Sequence, residues 1–249
     1  MSARAIALVA LFSVPSAADA PLGAPGADER RAPGELLVDD GGRAGPITLA
    51  VQRACGEVVS TLGPPRRRKK VRVRVASDAQ HFTDVTGRPA FEAAAFVDDT
   101  IWLASTTTRD RLFHLDLVYR HECVHAWLAA DGSSPSFRVV EEAFAMRVAG
   151  QSARLPPARP YTTADIEAAE SLLGAPRDRL SYEATLARVA ATFAPCLRGD
   201  RASLTDLARH TQSSMRPLAT LVGEGGPCGP AKAPIVPLPN DGPSDGGAP

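Results

Sequence analysis

The chain of 249 residues contains 28 Lys and Arg against 28 Asp and Glu, and 44% of its residues are hydrophobic. This length and apolar content suffice for the core of one ordinary domain with tails, or at most of two small domains. The formal net charge of zero gives the protein no general attraction to nucleic acid or to an anionic membrane surface. We therefore expect no nucleic-acid partner.

The first twenty residues have the pattern of an export signal peptide. Arg4 provides a positive start, residues 6–14 are apolar, and residues 16–18 are the small residues Ser-Ala-Ala, so we expect cleavage after Ala18. The apolar run of about nine residues is far shorter than the roughly 20 that a membrane span needs. The sequence predicts a secreted or periplasmic protein without a membrane span.

Two segments are rich in Pro and Gly and lack any apolar periodicity. Residues 21–45 predict a disordered linker and residues 223–249 a disordered tail, because neither can bury enough apolar surface to order itself. The predicted signal peptide then comprises residues 1–20. The predicted catalytic domain comprises residues 46–222.

Four cysteines in an exported chain are compatible with disulfide bonds. Four cysteines permit three pairings, and among them we expect the bond between Cys196 and Cys228. Cys123 lies in an apolar stretch of helical period, where a disulfide partner and a buried free thiol fit the sequence equally well. The alternative for Cys123 stays open at this stage.

The predicted domain begins with a helical pattern and then changes to the period of strands. Residues 47–62 place apolar side chains at helical spacing and end at a Gly-Pro pair, which predicts an amphipathic helix. Residues 71–75 alternate between Val and Arg, as is typical of a half-buried strand. Residues 91–97 and 100–104 flank Asp98-Asp99, which predicts a hairpin.

The second half of the domain returns to the helical period. We predict a long helix from Thr107, as its N-cap, to Gly132, and a second helix that starts at Ser134-Pro135 and ends at Gly150. Further helices are expected at residues 163–173, 181–194 and 203–212. A sheet followed by helices predicts an α+β fold, with a small N-terminal mixed sheet and a helix, then the helix of the metal motif described next and a helical C-terminal part.

Residues 121–125 read His-Glu-Cys-Val-His, and this spacing predicts a metal site. Four residues advance a helix about 40° past one full turn, so His121 and His125 face the same side. Two neutral imidazoles on one face can hold a single Zn2+, which leaves Glu122 beside the metal to act on a bound water. The alternative is a pair of structural histidines next to an incidental acid.

A catalytic zinc site needs a third protein ligand and an open fourth position. Glu141 and Glu142 are the candidate donors, because the loop before their predicted helix can reverse the chain. Adjacent residues point about 100° apart on a helix, so one of the two can face the histidines. The apolar side of the helix lies closer to Glu142 and favours it over Glu141. This side consists of Val139, Ala143 and Met146.

The stretch from Val71 to Gly150 resembles the peptidase MA-like group of gluzincin zinc metallopeptidases. A strand, a Phe-x-x-x-Thr-Gly-like segment at residues 82–87, a hairpin, the His-Glu-x-x-His helix and a helix with a ligand glutamate follow one another in the same order. The resemblance covers roughly a third of the chain. It implies a zincin-type active-site helix, with Glu122 as general base. The Zn2+ ligands that it implies are His121, His125 and Glu142.

From these patterns we expect a secreted zinc metallopeptidase that hydrolyses a peptide or protein substrate by metal-activated water, with Glu122 as general base. Tyr182 is the predicted donor to the oxyanion, with Tyr161 and His210 as alternatives. The chain departs from the resemblance around the ligand glutamate, at Val139, Ala143 and Met146. The alternative function is therefore a non-catalytic exported binding protein on the same scaffold, and a third is an interaction protein without metal.

Overall fold

The structure is a computed structural model that describes residues 34–39, 45–105, 114–212, 218–224 and 226–229. For residues 208–212 it describes the backbone and not the side chains. The predicted signal peptide lies outside the described residues, as do most of the predicted linker and most of the predicted tail.

Four strands form one mixed sheet, which agrees with the predicted α+β class. They are β1 (Leu36–Asp39), β2 (Lys69–Val75), β3 (Ala94–Val97) and β4 (Thr100–Leu103). The order across the sheet is β1-β2-β4-β3. Strands β1 and β2 are parallel, as are β2 and β4, whereas β3 and β4 form the predicted antiparallel hairpin. Strand β3 is therefore at one edge of the sheet.

Strand β1 lies within the stretch that the sequence predicted to be a linker, and for Leu36–Asp39 that prediction is wrong. Val38 lies opposite Val71 in the parallel ladder with β2. Four residues between Gly- and Pro-rich segments are too few to show a strand period. Their order comes from hydrogen bonds to a strand far along the chain, which no local pattern reveals.

The described residues contain eight α-helices and one short 3-10 helix, Gln151–Arg154. The α-helices are α1 (Pro46–Leu62), α2 (Ala79–Thr86), α3 (Leu115–Asp131), α4 (Arg138–Ala149), α5 (Ile166–Gly174), α6 (Arg179–Phe193), α7 (Arg201–Gln212) and α8 (Ala219–Val222). The predictions for α1, α5, α6 and α7 are confirmed to within about three residues at either end. Among the described residues, no helix has both the length and the apolar character that crossing a bilayer requires.

Helix α3 begins at Leu115 and not near Thr107, so the predicted start is wrong. His114 has a φ of 72°, and a left-handed residue cannot belong to a right-handed helix. Thr107 itself lies outside the described residues. The predicted end is confirmed, because Gly132 has a φ of 69° and its N–H donates to the carbonyl of Leu128.

Helix α4 begins at Arg138 and not at Ser134-Pro135, which is a second correction. The carboxylate of Glu170, on α5, accepts hydrogen bonds of 2.8 Å from the backbone N–H groups of both Arg138 and Val139. An acid from another helix thus caps the first turn of α4, and it also complements the positive end of the helix dipole. The local sequence could not show this cap, because its donor and acceptor lie far apart in the chain.

The two faces of the sheet are covered differently. On one face α2 contributes Phe82 to a small cluster with Ala76 of the sheet end and Ala95 of β3. On the other face lies the main core, to which α1, α3 and α4 contribute half of the buried residues. Helix α3 is the central helix of this core, with Trp127 fully buried and its Nε1 donating to the carbonyl of Gly63. The motif residues therefore lie on a helix held from several sides.

Two disulfide bonds are present. Cys55 of α1 is bonded to Cys123 of α3, so Cys123 is a disulfide partner and not a free thiol. The expected bond between Cys196 and Cys228 is confirmed. Because Cys228 is buried, ordered structure extends past residue 222, into the segment predicted as a disordered tail.

Candidate metal centre

The two motif histidines lie on the same side of α3, one turn apart, as their spacing predicts. Their Nε2 atoms are 3.0 Å from each other, and both side chains are largely buried. Two ring nitrogens this close share either a hydrogen-bonding proton or a bound cation. The pair could therefore contribute two ligands to one metal ion.

Glu142 of α4 provides the third group. Its Oε2 lies 3.1 Å from Nε2 of His121 and 4.0 Å from Nε2 of His125. The two Nε2 atoms and this oxygen form a triangle, whose third side is the 3.0 Å between the imidazoles. The point equidistant from all three atoms in their plane lies about 2.0 Å from each, the bond length that zinc makes to such atoms. We call it the metal point. His121, His125 and Glu142 together could hold one metal ion.

The outer nitrogens of both imidazoles are also engaged. Nδ1 of His121 donates to Oε1 of Gln151, and Nδ1 of His125 donates to Oε1 of Glu141, each over 2.8 Å. An amide oxygen and a carboxylate can only accept, so the proton of each neutral ring is held on Nδ1. This is the tautomer that metal binding requires, because the Nε2 lone pairs could then bind a metal ion next to Glu142.

The charges around this cluster favour a bound cation. Burial lowers the pKa of His125, but the hydrogen bond to Glu141 and the charges of Glu142 and Glu122 outweigh it and raise that pKa to about 9. Burial raises the pKa of Glu142, whereas the hydrogen bond to His121 and the nearby cations bring it down to about 2. Whether the positive charge is a proton or a metal ion, the carboxylate of Glu142 is ionised and ready to bind it.

The second oxygen of Glu142 is held by arginines. Nη2 of Arg138 lies 3.5 Å and Nη2 of Arg88 lies 3.7 Å from Oε1 of Glu142. Arg88 also forms an ion pair with Glu92 through Nε, over 3.0 Å. Because Oε1 is directed toward the guanidinium groups, Oε2 is the oxygen left for the metal.

Glu122 lies on α3 beside the three candidate ligands and is 6% exposed. Its carboxylate makes no hydrogen bond or ion pair to any residue that the structure describes, and it lines the cavity next to the histidines. A carboxylate on this wall without a protein partner could accept a proton from a molecule bound in the cavity.

A cavity of about 660 Å3 opens over the cluster. Its walls come from residues 86–97, including the edge strand β3, and from α3, the start of α4, and α6. Tyr182 of α6 lies on this wall, with its ring 5.8 Å from the ring of Phe91. Burial and the negative charge of Glu142 raise the pKa of Tyr182 well above its ordinary value, so its hydroxyl keeps its proton.

The structure thus brings together five of the residues named from the sequence: His121, Glu122, His125, Glu142 and Tyr182. Tyr161 lies elsewhere, under the guanidinium of Arg188 at 3.8 Å. The side chain of His210 lies outside the described residues. Glu141 is also at the site, but as the hydrogen-bond acceptor of His125 and not directed at the metal point.

Sequence reasoning missed three residues of the site: Arg88, Arg138 and Gln151. Arg138 precedes Glu142 by one helical turn, so its position next to that carboxylate could have been found from the spacing. Gln151 and Arg88 lie beyond helix ends, where no periodic signal applies.

Comparisons of the chain with protein-family models, with curated proteins and with solved structures gave no match.

Proposed function

We propose that the protein is a secreted zinc metallopeptidase that hydrolyses peptide bonds with a metal-activated water. The convergence of Nε2 of His121, Nε2 of His125 and Oε2 of Glu142 on one point is the observation that supports this most directly. Three protein ligands beside an open cavity are typical of catalytic zinc sites, whereas structural zinc sites are closed by a fourth protein ligand. Two imidazoles and one carboxylate are also a ligand set that suits zinc.

The roles of the protein groups follow from their positions. Zn2+ bound here would lower the pKa of a coordinated water toward 7 and polarise the substrate carbonyl. Glu122 accepts the proton of the attacking water and passes it to the nitrogen of the leaving amine as the C–N bond breaks. Tyr182, protonated and on the cavity wall, donates to the oxygen that becomes negative during the attack.

Two features support the export in this proposal, independently of the site. The N-terminal pattern of the sequence is that of a signal peptide. Two disulfide bonds lie within the described residues, and such bonds persist in oxidising compartments outside the cytosol. A secreted hydrolase with peptide or protein substrates is consistent with both features.

One structural feature favours the second candidate, a non-catalytic binding protein. One turn beyond Glu142 the chain has Met146, which is 1% exposed, where an acidic residue would support the ligand carboxylate. The support of Glu142 comes from Arg88 and Arg138 instead. A guanidinium next to a ligand carboxylate weakens the negative charge that the carboxylate offers to the metal. The peptidase and the binding protein would both bind metal, and they would differ in whether they hydrolyse a substrate.

The test combines metal analysis with a variant of the general base. Purified protein should contain about one zinc per chain, and Glu122→Gln should keep the metal while cleavage of a quenched peptide library falls by at least 100-fold. Glu183→Gln is the matched control, because Glu183 lies on the cavity rim and pairs with Arg179. Retained zinc with undiminished cleavage in Glu122→Gln would refute the mechanism, and zinc without cleavage in the wild type would favour the binding protein.

A further inference from the structure

The two arginines beside Glu142 differ in their contacts. Arg88 contacts both Glu92 and Glu142. Arg138 has Glu142 as its one acidic contact among the described residues, at 3.5 Å, and its Nε is buried without a hydrogen bond. A buried guanidinium donor without an acceptor is costly in a protein interior and indicates a missing partner.

Three other acidic side chains on the cavity wall have partners of their own, whereas Glu122 has none among the described residues. Glu141 accepts from His125, Glu170 from two backbone N–H groups of α4, and Glu183 from Arg179. None of these contacts Arg138. Arg138 is therefore a cation on the cavity wall with one acidic contact and one donor left without a partner among the described residues.

Metal binding would divide the contacts of Glu142 between more cations. The carboxylate of Glu142 would then face the metal through Oε2 while Oε1 is shared between Arg138 and Arg88. Arg138 would keep Nε as a donor without a partner among the described residues. A second carboxylate, one that arrives with the substrate, is the kind of group that its guanidinium binds.

We propose, building on the proposed peptidase function, that Arg138 binds the C-terminal carboxylate of the substrate, so that the enzyme is a carboxypeptidase. A guanidinium binds carboxylates through two parallel hydrogen bonds, which provides orientation as well as affinity. Nη2 of Arg138 lies 3.5 Å from Oε1 of Glu142, whose Oε2 faces the metal point, and an extended residue spans about 3.5 Å. The scissile bond therefore lies one or two residues from the free C-terminus.

The reaction is ordinary hydrolysis at that bond. Water adds to the carbonyl carbon, the C–N bond breaks, and the released amino acid or dipeptide takes the proton that Glu122 accepted. The remaining peptide ends in a new carboxylate, which is again a substrate for the same site. If Arg138 served only to orient Glu142, peptides with free and amidated C-termini would bind equally well.

The experiment measures binding separately from turnover. In the zinc-loaded Glu122→Gln protein, calorimetry compares N-acetyl-alanyl-phenylalanine with its C-terminal amide, which differs in the carboxylate alone. We expect the acid to bind at least tenfold more tightly than the amide. Adding Arg138→Met should bring this ratio close to one, and adding Arg138→Lys should leave an intermediate ratio.

Arg179→Met is the matched control, because Arg179 lies on the same cavity and pairs with Glu183. It should leave the ratio of acid to amide unchanged. Equal dissociation constants for the two forms in the Glu122→Gln protein would overturn the inference, as would a preference for the acid that survives Arg138→Met. Absence of hydrolysis by the wild-type protein would instead count against the peptidase proposal, and these binding data would be unaffected.

Discussion

At the scale of single residues, the site depends on atoms that never approach the metal point. Gln151 and Glu141 accept the Nδ1 protons of His121 and His125. Each hydrogen bond selects one tautomer and one ring orientation, so the Nε2 atoms meet at the required distance without further rearrangement. The acceptors differ, an amide for His121 and a carboxylate for His125, and the hydrogen bond to the carboxylate raises the pKa of His125.

Gln151→Ala should therefore weaken metal binding without removing a ligand. We expect the dissociation constant for zinc, measured by competition with a chromogenic chelator, to rise by about 10- to 100-fold. Gln80→Ala is the control, since Gln80 is exposed on α2 and donates to Asp84. Equal zinc affinity of Gln151→Ala and the wild type would show that the hydrogen bond to His121 does not orient the ring.

At the scale of secondary-structure elements, the candidate metal site depends on how α3 and α4 are anchored. The disulfide between Cys55 and Cys123 attaches α3 to α1 within the motif itself, between the two histidines. At the other helix, Glu170 of α5 caps the first turn of α4, one turn before Glu142. Both anchors lie within a helical turn of a ligand, so a shift of either helix would separate the ligands.

Removing the first disulfide should affect both stability and metal binding. In the double variant Cys55→Ser, Cys123→Ser, we expect the free energy of unfolding in urea to fall by about 2–4 kcal/mol. We also expect weaker zinc binding, because α3 can move relative to α4. Cys196→Ser with Cys228→Ser is the comparison, since that bond closes a shorter loop away from the metal ligands. It should lower stability and leave zinc affinity unchanged, and weakening of zinc binding by both pairs alike would contradict local anchoring.

At the scale of the whole molecule, the free energy of unfolding depends on pH through a buried carboxyl group on the cavity wall, that of Glu92. Burial raises the pKa of Glu92 from 4.5 to about 8, although the charge of Arg88 opposes this shift. The folded protein therefore favours the protonated form of this carboxyl more than the unfolded chain does. Its contribution to stability is fully present below pH 4.5, declines as the pH rises, and is lost above pH 8.

Glu92→Gln removes this titration while it keeps the size of the side chain. The free energy of unfolding of the wild type, relative to Glu92→Gln, should decrease between pH 5 and pH 9. Urea denaturation at several pH values in this range measures the difference between the two proteins. A difference that stays constant with pH would mean that Glu92 titrates with an ordinary pKa.

The local sequence predicted the parts of the molecule that a helical or strand period encodes. The spacing of His121 and His125 places both rings on one side of α3, because a helix repeats every 3.6 residues whatever surrounds it. The hairpin at Asp98-Asp99 and the helices after residue 160 follow from the same kind of local pattern. These relations join residues within one or two turns of each other.

The contacts between residues far apart in the chain depend on tertiary packing. It directs Glu142 at the metal point and Glu141 at the outer nitrogen of His125, although both acids lie on one helix beside each other. It also brings Gln151 and Arg88 to the site and pairs the four residues of β1 with β2. Such contacts depend on how whole elements pack against one another, and a periodic pattern within one segment contains no information about the segment that will face it.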